Sequence, residues 1–139
     1  MRRDALKTVI RVRELAERRR LAEQAQALRD AEAADAARDQ ADAAFTGAAV
    51  PAGDTTAVVL HSYRASIIAL GEAVEDAEGT SAAAHQQVER AQQLTVEAAI
   101  ERRSAERLEQ RRDAAEAASV SREAQRRADE TALQIWRRS

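Results

Sequence analysis

"TGAAVPAGDTT", residues 46–56, is the stretch that decides how this chain folds. It holds Pro51, the only proline, and two of the four glycines. Proline removes a backbone donor and turns the residue before it, here Val50, away from helix. Gly47 suits a helix stop, and Asp54, Thr55 or Thr56 can cap a new helix. The segments on either side carry no comparable punctuation. The reading is therefore two helices, about 4–45 and about 57–136, joined by a turn at 46–56.

Composition agrees. Of 139 residues, 35 are Ala, and charged residues make up 33%. Few large apolar side chains remain, so the chain can line a narrow seam but cannot fill a thick core. Dense helix formers with mixed charge are the composition of a long helix or coiled coil. A net charge of −2 argues against disorder, which goes with high net charge.

The segment after the turn has a readable stripe. With Leu60 as position a, the a and d positions run Leu60, Tyr63, Ile67, Leu70, Val74, Ala77, Ser81, Ala84, Val88, Ala91, Thr95 and Ala98. No charge interrupts it, which marks a coiled-coil seam with Tyr63 packed inside. At Arg102 the apolar register fails. A shifted frame through Leu94, Ala98, Ala105, Leu108 and Ala115 is expected to take over as a stutter. Gly79 is a soft spot, where Thr80 or Ser81 could cap a new helix, but the stripe favours continuity.

The segment before the turn is less regular. Leu6, Val9, Ile10, Val12 and Leu15 crowd its start, and Leu21 and Leu28 lie seven apart. Ala34, Ala37, Ala41, Ala44 and Phe45 form a small-residue stripe. The eleven-residue step from Ile10 to Leu21 argues against strict heptads. At 1.5 Å per residue the two helices are about 63 and about 120 Å long. Folded back, the first covers the second up to about residue 98, and the remainder projects. The fold class is all-α: a two-helix antiparallel coiled coil with a longer C-terminal helix.

Several functions are disfavoured. Without Cys there are no disulfides, no thiol catalysis and no Cys-based zinc site. A hairpin encloses no active-site pocket, and neither a phosphate-binding Gly-rich loop nor HExxH occurs. No enzymatic activity, cofactor or metal is expected. His85 and Glu89 stand i, i+4 but read as solvated side chains, and His61 as a seam-boundary residue. "RRR" at 18–20 reads as a salt-bridged face with Glu14, Glu17 and Glu23. Residues 1–45 carry 10 basic and 9 acidic side chains, and residues 99–139 carry 10 and 8, so no basic excess points to nucleic acid. "MRRDALKTVIRVREL" has no apolar signal-peptide core, and "AVVL" is too short to span a bilayer, so a cytoplasmic protein without direct membrane insertion is expected.

Trp136 stands apart, spent three residues from the end beside Ala128, Ala132, Leu133 and Ile135. Either this end frays or packs on the start of the first helix, or the Trp anchors a partner.

Two stretches carry a family resemblance. "LKTVIRVRELAERRRLAEQAQAL" at 6–28 resembles the start of the flagellar FliJ family, which opens with a Leu-x-x-Val-Leu/Ile-Arg-x-Arg-Glu pattern. "AAIERRSAERLEQRRDAAEAASVSREAQRRADETAL" at 98–133 is similar to that family's C-terminal half, ending in Asp129, Glu130, Thr131 and Ala132. The resemblance implies a coiled-coil stalk of type III protein export without catalytic activity of its own. Its implied partners are the hexameric export ATPase, the linker of the export gate, and export chaperones, and its implied place is peripheral, at the cytoplasmic face of the flagellar base. For the ATPase ring the expected contacts are Arg102, Arg103, Arg107, Arg111, Arg112, Arg122, Arg126, Arg127 and Trp136. For the gate, the family's short apolar set falls on Ser66, Leu70, Ala73 and Ala77. Of these, Leu70 and Ala73 match its pattern. The competing reading is a generic coiled-coil scaffold or self-associating rod.

Overall fold

The structure is a computed structural model that describes residues 3–50, 52–53 and 56–139. Among these there are two helices and no strand: α1, Arg3–Thr46, and α2, Ala57–Arg138. The fold is all-α, an antiparallel coiled-coil pair with the longer helix second.

Local chemistry fixes the ends. Asp4 stands in the first turn of α1, and Arg137 and Arg138 in the last turn of α2, each matching the helix dipole. At the end of α1 the Gly47 N–H donates to the Ala43 carbonyl at 2.8 Å, and a Cβ on Gly47 would stand 3.0 Å from that same oxygen. Gly47 thus closes α1 without a left-handed backbone, and a larger residue there would crowd the Ala43 carbonyl. Gly53 takes φ 93°, a left-handed backbone that other residues adopt at a cost. Thr56 caps α2, its Oγ1 accepting from the Val59 N–H at 3.4 Å. Pro51, Asp54 and Thr55 lie outside the described residues.

Two compact units divide the chain: Arg18–Glu97, and Met1–Glu17 with Ala98–Ser139. Within Arg18–Glu97 the contacts descend α1 as they ascend α2. Gly71 faces Phe45, Ser81 and His85 meet Asp35, and the Thr95 hydroxyl donates to the Arg20 carbonyl at 3.2 Å. That order defines an antiparallel pair. The α2 row Tyr63, Ile67, Leu70, Val74, Ala77, Ser81, Ala84, Val88, Ala91 and Thr95 is half-buried or buried throughout. Within the other unit, Arg102 pairs with Glu17 and Arg13 with Glu101, again antiparallel.

Three expectations are corrected. The stutter does not occur: after Ala98 the half-buried row continues in the same heptad frame through Arg102, Ala105, Glu109 and Arg112, while Leu108 is 53% exposed. Arg102 can hold a seam position because Glu17 and Glu106 neutralise it. Second, α1 keeps a three-four spacing of covered positions, Glu17, Arg20, Gln24, Ala27, Ala31, Ala34, Arg38 and Ala41, with Val12, Leu15, Leu21, Leu28, Ala37 and Ala44 left exposed. Third, coverage of α2 extends to Arg112 rather than 98. Phe45 lies against Gly71, so the first turns of α2 run past the end of α1 and the pairing is offset.

α2 passes through Gly79 unbroken. The Thr80 hydroxyl donates to the Asp76 carbonyl one turn back, at 3.0 Å, rather than capping a new helix. A Cβ on Gly79 would meet nothing within 4 Å. Gly79→Ala is therefore expected to stabilise the protein by about 1 kcal/mol, the helix-propensity difference. Thermal unfolding followed by circular dichroism checks it, with a higher Tm expected.

Candidate partner-binding surfaces

The seam is thin. Among the described residues only Leu6, Ala31, Val88 and Ala98 are buried apolar side chains, and Ser81 is the one buried polar residue. Ser81 replaces an apolar residue in the middle of the α2 row, and its hydroxyl donates to Asp35 Oδ1 at 2.6 Å. His85 Nε2 lies 3.0 Å from Asp35 Oδ2 and 3.1 Å from Oδ1. One α1 carboxylate thus bridges two α2 side chains a turn apart. His85 therefore faces Asp35, not Glu89. The Ser81 hydroxyl and then His85 hold the Asp35 carboxyl below its usual range. A carboxyl depressed in the folded state contributes stability at pH values above its unfolded pKa. That contribution is lost as pH falls through the folded value. Urea midpoints are thus expected to be level above about pH 5 and to fall below about pH 4. Asp35→Asn should shrink that acid-side drop.

The predicted arginines divide into three kinds. Arg102 is 25% exposed and spoken for. Its Nε donates to Glu17 and its Nη1 to Glu106 at 2.7 Å, so its guanidinium is held protonated more firmly than usual. Arg103, Arg107, Arg111, Arg122, Arg126 and Arg127 are exposed. Of these, Arg127 pairs with Glu123 at 2.5 Å, an exposed i, i+4 pair worth a few tenths of a kcal/mol at most. Arg112 is half-buried. In the "RRR" run, Arg19 and Arg20 both bond Glu23, at 3.1 and 2.8 Å, and the Arg20 hydrogen bond lowers the Glu23 carboxyl.

Every residue from Asp113 to Ser139 is exposed. Trp136 is 76% exposed, so it does not pack on the start of α1, and Ile135 and Val120 are 65% and 63% exposed. This is a helical surface with both an exposed tryptophan and exposed arginines.

A second exposed apolar surface begins α2. Val58, Val59, Leu60 and Ile68 are exposed, as is Val50 before them. Within the predicted gate set, Ser66 and Ala73 face out, whereas Leu70 and Ala77 sit half-buried in the seam. "AVVL" alone is short, but α2 contains an 18-residue window of mean hydropathy 1.2, none of it buried, which by length and composition alone could cross a membrane. His61 near this start is exposed.

No curated protein and no solved structure matches the chain. The family model described as flagellar FliJ protein matches residues 1–139. With a match over its full length, and with the paired helices and charged exposed end described above, the chain belongs to the flagellar FliJ family, coiled-coil proteins of the flagellar export apparatus.

Proposed function

We propose that this protein is a non-enzymatic stalk of the flagellar export machinery, which binds the hexameric export ATPase through the end of α2, from Arg102 to Trp136, and promotes its assembly. The observation that carries this reading is the run of exposed helix after Arg112, ending in Trp136. From Ala114 onward every side chain is exposed, and this part of the helix places a large aromatic and outward arginines on one stiff segment. Trp and Arg are the side chains that dominate interface energies. Arg also forms forked bonds with carboxylates. The outward set is Arg103, Arg107, Arg111, Arg122, Arg126 and Arg127, with Arg102 contributing through its hold on Glu17.

The start of α2 is the surface for the linker of the export gate. Ala73 presents itself there directly, and the exposed Val58, Val59, Leu60 and Ile68 enlarge the apolar area. Leu70 serves from within the seam by fixing that face. Such a stalk works peripherally at the cytoplasmic face of the flagellar base, with export chaperones as further partners.

The test is to mix the full chain with the export ATPase and follow ATP hydrolysis, ring mass and Trp136 emission together. Faster hydrolysis, rings carrying the chain, and a blue-shifted emission are expected. Unchanged hydrolysis with a concentration-dependent mass of the chain alone would replace this reading with a self-associating rod.

A further inference from the structure

Arg112 carries an anomaly that the seam does not explain. Its Nη1 is buried and has no hydrogen-bond partner. Glu109 and Glu116, three residues before it and four after on the same helix, leave that nitrogen unsatisfied. Buried donors are nearly always paired, and an unpaired charged one is costly, so such an atom marks a place where an acceptor is missing. The same guanidinium lines an open cavity of about 380 Å³, whose other walls are Leu6, Leu108 and Arg111. Leu6 is 3% exposed and forms a fixed apolar wall, whereas Leu108 is 53% exposed and available to a ligand. The notch therefore has in its wall the Arg112 guanidinium, whose Nη1 lies closed off from solvent without a partner, together with a second cation at its rim and two aliphatic surfaces.

We propose that this notch binds a carboxylate carried beside an aliphatic group, and that its occupant is an acidic side chain of the export ATPase with an aliphatic neighbour. The occupant's identity rests on the export-ATPase reading, but the ligand chemistry does not. A carboxylate in the notch would draw the Arg112 guanidinium outward and give Nη1 the acceptor it lacks, and Arg111 can share it. The aliphatic neighbour covers Leu108 and shields the ion pair from water. Among the predicted arginines this singles out Arg112, because Arg102 already has two carboxylates.

The experiment uses the full chain with isovalerate as the probe and isoamyl alcohol, the same tail without the charge, as the control. Leucine methyl and arginine side-chain NMR signals are followed during titration. Saturable shifts at Leu6, Leu108 and Arg112 are expected with isovalerate only. Arg112→Gln should weaken them about tenfold or more, as loss of a charge-assisted bond does, and Arg111→Gln by less. Equal shifts with the alcohol, no saturation, or shifts that survive Arg112→Gln would overturn the site. Arg111→Gln leaves the seam untouched, so it keeps the test valid if Arg112→Gln unfolds. The occupant is tested separately. Arg112→Gln should weaken ring binding about tenfold, and unchanged binding would reject the ATPase carboxylate. Stimulation of hydrolysis by the wild-type chain tests the broader reading independently.

Discussion

Ala31→Glu is expected to dismantle the helix pairing in Arg18–Glu97, whereas Ala33→Glu, two residues away, should leave it intact. Ala31 is 3% exposed, and Ala33 is exposed. Both substitutions keep a good helix former, so helix propensity separates them little. The difference is burial. At position 31 the carboxylate would enter a seam built for a methyl group, one turn before Asp35, whose carboxylate already takes Ser81 and His85. An uncompensated buried charge costs about 3–5 kcal/mol, against a total stability of order 5–15 kcal/mol for a whole domain. With so few buried side chains, this protein has little to offset that loss. Ala33→Glu should change stability by less than about 0.5 kcal/mol. Urea unfolding followed by circular dichroism decides it. Equal midpoints for the two variants would show that α1 does not approach α2 closely at Ala31.

The contrast between those neighbours was only partly legible in the sequence. On α2 the uncharged positions from Tyr63 to Ala98 give the seam directly, because polar residues exclude the other faces. On α1 the same rule misleads. Leu6 is buried, but Val12, Leu15, Leu21 and Leu28 lie outside, and Glu17, Arg20, Gln24 and Arg38 occupy covered positions. Long polar side chains can lay their stems along a seam while their heads find partners or water. Apolar periodicity is blind to that arrangement. Arg102 hid the continuing register for the same reason, since only the Glu17 partner across the seam makes an arginine acceptable there. The coverage limit was misjudged on other grounds. Helix lengths alone assume level ends, but Phe45 meets Gly71, so α2 starts well beyond the end of α1.

The candidate surfaces follow the same division. Trp136 and the exposed arginines announce themselves by composition, because nothing nearby in sequence needs them. The Asp35, Ser81 and His85 cluster was missed, since its members lie 46 and 50 residues apart. The one signal was a serine on an otherwise uncharged and largely apolar stripe. The Arg112 notch was missed because the expected stutter placed Leu108 inside the seam. Polar groups that act across a helix pair are visible only once the register is known.

Removing residues 114–139 is expected to leave the hairpin's unfolding nearly unchanged and to abolish stimulation of the export ATPase. The half-buried row ends at Arg112, and every side chain removed is exposed, so the stability change should stay within about 0.5 kcal/mol. Asp113, which makes an interaction of its own, is retained. Binding is another matter, because the deleted segment holds Arg122, Arg126, Arg127 and Trp136. Trp136→Ala alone should weaken ring binding roughly thirtyfold, the scale of a 2 kcal/mol aromatic hot spot. Loss of the whole segment should remove detectable binding. Measuring urea midpoint and ATP hydrolysis on the same preparations separates the two effects. A truncated chain that unfolds like the full one and still stimulates the ring would confine the contact to Arg102–Arg112 and α1. A chain that loses stability would mean that the exposed helix is held by the hairpin after all. Only unchanged unfolding with lost stimulation fits a segment whose side chains do their binding in the complex.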